Sequence, residues 1–241
     1  MSFLRLREFT PARVGLGRAG NSLPTRELLD FQLAHARARD AVHAELDAAG
    51  LALELTPKCG ECLLVHSEAS DRATYLRRPD LGRRLAEDSR ELLTPRRGKF
   101  DAVFVVADGL SALAVHRHAP PFLESIMKEI ASNAWQLAPV VIVKQGRVAI
   151  GDEIGECLSS TISVVLIGER PGLSVPDSLG VYLTWNPRPG LTDADRNCVS
   201  NIHAAGLNYQ VAAARVVFLM TEARQRKLSG VGLKEDARLL E

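Results

Sequence analysis

Between residues 100 and 167 the chain carries three short apolar runs: AVFVVA at 102–107, PVVIV at 139–143 and ISVVLI at 162–167. Each is too short for a helix and each is closed by turn residues: Asp108-Gly109, the KQGRV string that follows residue 143, and Gly168. A continuous apolar run of this length reads as a strand buried on both faces. Helix-length stretches separate the runs. One begins at Ser111, breaks at Pro120-Pro121 and restarts through Asn133; a shorter one covers 152–158. Strand, helix, strand, helix, strand requires right-handed crossovers and a parallel sheet covered on both sides. The expected fold class is therefore α/β, a Rossmann-like parallel sheet with helices on both faces, preceded by a helical N-terminal part. Parallel strands bring three loops to one edge: Asp108-Gly109-Leu110, Gln145-Gly146-Arg147-Val148 and Gly168-Glu169-Arg170. Ligands of open α/β sheets bind outside such carboxyl ends.

The rest of the chain reads outward from this unit. A further β-type run covers 181–185. Thr192 and Asp195 form a capping-box pattern that opens a turn or short helix carrying Cys198. A last long helix runs from about Tyr209 to Lys227 and stops at Ser229-Gly230. Toward the N-terminus, residues 1–20 read as an extended lead-in with Phe3, Leu4, Leu6 and Phe9 free to pack on a partner. The string GLGRAG matches a dinucleotide fingerprint in letters, but no clear strand precedes it, and an arm is the preferred reading. A helix follows over about 25–48, capped by Ser22 or Thr25 with Pro24 in its first turn, and Gly50 ends it. Residues 51–65 read as β-type, interrupted by TPKCGEC. Two short helices follow, over 67–75 and from Pro79 to about Ser89. The polar connector TPRRGK at 94–99 gives the expected division: 1–98 as an N-terminal arm and helical region, 99–241 as an α/β domain.

Composition narrows the chemistry. A net charge of +1 over 241 residues argues against nucleic acid as the main partner, which wants a basic face. The pairs Arg83-Arg84 and Arg96-Arg97 read as solvated faces or subunit contacts. No apolar run approaches the roughly 20 residues of a membrane span, and MSFLRLREF lacks a secretory h-region, so the expected compartment is the cytoplasm. Cys59 and Cys62 form a C-x-x-C without a second ligand pair and read as two free thiols in a loop. His35 and His43 sit eight residues apart, and His116 and His118 fall on different helix faces, so neither pair reads as a metal site. Asp108 reads as a cap on the helix that starts at Ser111. No catalytic motif is present, and no catalytic residue is assigned. The edge loops offer glycines, backbone amides and a few polar side chains, which suits a large, amide-rich, mostly uncharged ligand.

Six strings carry a specific likeness: TPARVGLGRAGNSLPTRELLDFQLAHARARDAVHAELD, HSEASDRATYLRRPDLGRRL, VFVVADGLSALAVHRHAPPFLE, GRVAIGDEIGE, VVLIGERPGLSVPDSLGVYLTWNPRPG and DRNCVSNIHAAGLNY. Together, in order, from about residue 10 to about 232, they resemble the small (light) subunit of ethanolamine ammonia-lyase. The likeness departs at a short N-terminus, at the CGEC patch of 59–62 and in the tail after Lys234. The resemblance implies an adenosylcobalamin-dependent (coenzyme B12) lyase that converts ethanolamine to acetaldehyde and ammonia by radical chemistry. It implies a hetero-oligomer in which a large (heavy) subunit, a TIM barrel, holds ethanolamine and the acid–base residues. The small subunit then closes over cobalamin at the interface, in the cytoplasm or inside a bacterial microcompartment. The family's cobalamin contacts match Val148, Glu169 and Cys198 here; no metal ligand is implied.

Two other readings stay open on the residues themselves. One is a scaffold subunit that assembles a complex without binding the cofactor. The other is a self-sufficient cofactor enzyme on the same α/β unit, which would turn over alone.

Overall fold

The computed structural model describes residues 8–10, 12–131 and 134–234. The expectations for Phe3, Leu4, Leu6, Asn133 and the tail from residue 235 fall outside these residues. Residues 12–24 are irregular, with positive φ at Gly15, Gly17 and Gly20. Helix α1 then spans Thr25–His43, entered through Pro24 without a side-chain cap. The chain does not continue as one helix to residue 48. A second helix, α2, covers Ala48–Cys59, and Gly50 sits in its first turn, where its N–H donates to the Asp47 carboxylate at 2.9 Å. The LALEL string therefore reads differently from its alternating letters. Leu51 and Leu55, one helical turn apart, are fully buried, while Leu53 is 78% exposed. Cys59 ends α2 and Cys62 opens strand β1, Cys62–His66; both thiols are free. Burial pushes the Cys59 thiol up to about 11, with the neighbouring Cys62 adding to the shift.

The expected helices over 67–75 and 79–89 lie later in the chain. Helix α3 is Arg72–Arg77, started where Asp71 accepts the Thr74 N–H at 2.8 Å, and α4 is Glu87–Leu93. Strand β2, Phe100–Ala107, leads into α5, Ala112–Ile130, whose cap is Ser111. Pro120 and Pro121 do not break α5. Ten of its residues are buried, and that packing outweighs the helix-interior penalty of proline, about 3 kcal/mol. Then follow β3 (Val140–Lys144), α6 (Ile150–Leu158), β4 (Ser160–Gly168), β5 (Leu179–Trp185), β6 (Arg196–Ile202) and α7 (Tyr209–Arg226).

The strands form one sheet in the order β1-β3-β2-β4-β5-β6. The first four are parallel; β5 runs antiparallel to β4, and β6 antiparallel to β5. Strand β1, which precedes residue 99, pairs with β3 in this same sheet. The segment carrying Cys198 is strand β6 and not a short helix: the Thr192 capping box starts only a single 3-10 turn, Asp193–Asp195. Beyond that turn the side chains divide between two faces, Val199 buried in the core and Cys198 and Ser200 exposed, which suits a strand. Helices α2, α5 and α7 pack on one face of the sheet around Phe104, Leu123, Ile126 and Leu219. On the other face α4 and α6 enclose Val103, Val105, Ile150, Ile154 and Leu158. Here α6 packs on β2 and β4. Beyond it the same face of β5 and β6 presents half-buried Tyr182 and exposed Cys198 and Ser200.

Candidate functional site

All three expected loops sit at the carboxyl edge of the parallel strands, and the structure shows what fixes them there. Asp108 is not a helix cap. Its buried carboxylate accepts the N–H of Gln145 at 2.9 Å and of Gly146 at 3.0 Å, tying the end of β2 to the loop after β3. That loop delivers Arg147 and Val148 to the start of α6. Between β2 and β4 the backbones nearly touch. Gly109 has φ +55°, and a Cβ there would stand 2.3 Å from the Gly168 carbonyl oxygen. A Cβ on Gly168 would stand 2.1 Å from the carbonyl oxygen of Ser111. Glu169 leaves the sheet directly from this crossing.

Glu169, Cys198 and Val148 gather around one side chain that the sequence reading did not single out, Tyr182. Tyr182 and Cys198 are partners in the β5–β6 register and project on the same face. Burial pushes the Tyr182 phenol up, and the adjacent Cys198 and Glu169 add to that shift. Val148 and Tyr182 line one cleft of 420 Å³, with Arg83, Arg147, Thr192 and Arg196 among its other walls. Glu169 is half-buried. Its Oε2 accepts the Ser178 hydroxyl at 2.6 Å, and the Asn201 N–H approaches both carboxylate oxygens at 3.4 Å. Gly180 gives that carboxylate room, since a Cβ there would lie 3.0 Å from Oε1. Arg170, beside Glu169, points to solvent. The alternation of Gly180, Tyr182 and Thr184 along 179–185 is the signal that could have found Tyr182.

A buried ion pair ties the first turn of α6 to the start of β6 beside the cleft. Arg196, at the start of β6, donates to Asp152 in the first turn of α6 through two bonds, Nη1 to Oδ1 at 2.7 Å and Nη2 to Oδ2 at 2.6 Å. Nη1 also donates to Thr184 Oγ1 at 2.9 Å and Nη2 to the Leu191 carbonyl at 3.2 Å. Both side chains are almost wholly buried. Nothing in the sequence links residues 44 apart, so this pair was not foreseen.

Neither histidine pair is gathered as a metal site among the described residues. His116 Nε2 accepts the Asp47 N–H at 3.1 Å, His118 Nδ1 meets the Tyr209 hydroxyl at 2.8 Å, and His35 and His43 are exposed. No helix among the described residues is long and apolar enough to cross a membrane.

Fold and cleft together define an α/β protein whose candidate site is an open strand face at the carboxyl edge, not an enclosed pocket with a catalytic constellation. The family of ethanolamine ammonia-lyase light chains (EutC) matches residues 2–234. The chain is 56% identical over 241 residues to the ethanolamine ammonia-lyase small subunit of Pseudomonas fluorescens, covering 98% of this chain and 88% of that one. It is 58% identical over 239 residues to the small subunits of Pseudomonas putida and Pseudomonas aeruginosa, with the same coverage. The chain belongs to the ethanolamine ammonia-lyase light-chain family and is thereby part of a lyase.

Proposed function

We propose that the chain binds adenosylcobalamin between its open β5–β6 face and a large catalytic subunit, in a complex that converts ethanolamine to acetaldehyde and ammonia. The observation that carries this reading is the convergence of Val148, Glu169 and Cys198 on Tyr182, beside a cleft that no helix among the described residues roofs over. The residues suit the cofactor. A corrin is broad and rimmed with amides, so it needs dispersed acceptors and donors on an open surface. Glu169 keeps acceptor capacity beyond the bonds to Ser178 and Asn201, since a carboxylate offers about four lone-pair sites. Its part is to accept from amide or sugar donors. Val148 contributes apolar contact and backbone groups, and Cys198 a small polarizable surface.

Bound cobalamin supplies radical chemistry through homolysis of its cobalt–carbon bond. This chain's own work is binding, orientation and exclusion of water, and the acid–base residues belong to the large subunit. The N-terminal region, 1–98, then serves as arm and helical support, lending strand β1 to the sheet and Arg83 to the cleft, and 99–241 supplies Val148, Glu169 and Cys198. The reading carries the complex in the cytoplasm or within a bacterial microcompartment.

Glu169→Ala is expected to weaken adenosylcobalamin binding by about 10–100-fold, the equivalent of a hydrogen bond to a charged group at about 1.5–3 kcal/mol. The rate at saturating cofactor should change far less. Equilibrium titration of the reconstituted complex checks this; Glu169→Gln, which keeps one acceptor and the shape, should fall between. An unchanged affinity in Glu169→Ala would remove Glu169 from the site.

A further inference from the structure

Beside Val148 stands a second cation of the cleft, Arg147, held by ring stacking. Its guanidinium lies 4.2 Å over the ring of Tyr75, which also carries the Arg72 guanidinium at 4.8 Å. Tyr75 is fully buried, and its hydroxyl donates to the Gly146 carbonyl at 3.1 Å. Arg147 Nη2 donates to the Tyr75 carbonyl at 3.3 Å, and the Arg147 backbone N–H donates to the Gly82 carbonyl at 2.7 Å. Gly82 is itself part of the mounting, because a Cβ there would come within 2.9 Å of Arg147 Cγ and Tyr75 Cε2. The loop behind is the one pinned by Asp108.

This cation has no counter-charge. Among the described residues no carboxylate pairs with Arg147 or with Arg83, which lines the same cleft, and the Arg147 Nε is buried without a hydrogen-bond partner. The other charges nearby are spoken for: Asp108 lies 3.6 Å from Arg72, Arg196 is neutralised by Asp152, and the Asp193 side chain is fully exposed to screening solvent. The cleft thus keeps an uncompensated positive charge on an immobilised planar fork. Such a fork recognises phosphate and carboxylate, and its fixed orientation reduces the entropy lost on binding.

Resting on the cofactor reading above, one group of adenosylcobalamin answers this description, the phosphodiester of its nucleotide loop; the corrin's side chains are neutral amides. We infer that Arg147, with Arg83 at the rim, binds that phosphodiester and makes the site select a complete cobalamin over a corrinoid lacking the nucleotide loop.

The test is equilibrium affinity of the complex with the large subunit for two probes, adenosylcobalamin and adenosylcobinamide, which shares the corrin and the adenosyl group but has no nucleotide loop. Arg147→Ala should weaken adenosylcobalamin about 10–100-fold and adenosylcobinamide less than about 3-fold, with Arg147→Lys recovering part of the loss. Arg83→Ala, an exposed residue whose removal leaves the fold intact, should cost about 3–10-fold for adenosylcobalamin alone. Equal losses for both probes would overturn the proposal, since they would mean an amide contact or a loosened loop. No loss in either variant would overturn it as well. A wild-type complex that binds neither probe would overturn the underlying cofactor reading too; wild-type binding with no Arg147 effect overturns this inference alone.

Discussion

Asp152→Ala is expected to destabilise the chain by about 3–5 kcal/mol, the cost of leaving one partner of a buried ion pair unpaired. The exposure of the two side chains is 3% for Asp152 and 2% for Arg196, so water cannot replace the lost carboxylate. The guanidinium would keep Thr184 and the Leu191 carbonyl as acceptors, with only the fully exposed Asp193 carboxylate near it, 3.9 Å away. For a chain of this length the loss corresponds to a fall in Tm of about 6–20 °C. The same pair holds α6 against β5–β6, so the cleft should open as the pair is broken, and cofactor affinity should fall with stability. Replacing both partners together, Asp152→Leu with Arg196→Met, should recover most of the stability, because a buried pair gains little over well-packed apolar groups. Thermal unfolding of the three proteins decides the point. A single variant within about 1 kcal/mol of wild type would show that the pair is not desolvated as described.

Gly168→Ala is the second large effect. A methyl group there would meet the Ser111 carbonyl oxygen at 2.1 Å and the Asp108 carbonyl oxygen at 2.7 Å. Both obstacles are backbone, and neither can rotate away. The strand ends must part, at about 3 kcal/mol or more, the upper range for forcing extra atoms into a packed interior. Because Glu169 follows directly, the same displacement carries its carboxylate off Ser178 and Asn201. The expected result is a lowered Tm together with cobalamin affinity reduced at least as far as in Glu169→Ala. Wild-type melting and affinity in this variant would mean that the ends of β2 and β4 can part without cost.

What could be read from the sequence followed the strength of local patterns. Runs buried on both faces have no periodicity to misread, so β2, β3 and β4 fell where expected, and with them the carboxyl edge and the loops carrying Val148 and Glu169. The stretch over 48–59 misled, because Leu-x-Leu-x-Leu satisfies a strand's period, and only the burial of Leu51 and Leu55 without Leu53 reveals a helix. Pro120 and Pro121 misled in the opposite sense: a local breaker was overridden by tertiary packing. Strand β6 was hidden behind a genuine capping box that serves just one 3-10 turn. The site split along the same line. Glu169, Val148 and Cys198 came from the resemblance, whereas Tyr182, Arg196 and Asp152 depend on register and on contacts between distant residues. Asp108 was noticed for its position, but its role in bonding two amides across the sheet edge needed the structure.

The most direct test of the central claim is to mix this chain with a cognate large subunit, adenosylcobalamin and ethanolamine, and to follow cobalamin binding and acetaldehyde release together. Tight cobalamin binding and acetaldehyde release are both expected to require the two chains, with neither chain sufficient alone. A stable complex that binds no cobalamin through this chain would contradict it and leave a scaffold subunit. Acetaldehyde from this chain alone would contradict it equally, by demanding a catalytic constellation that the β5–β6 face does not contain.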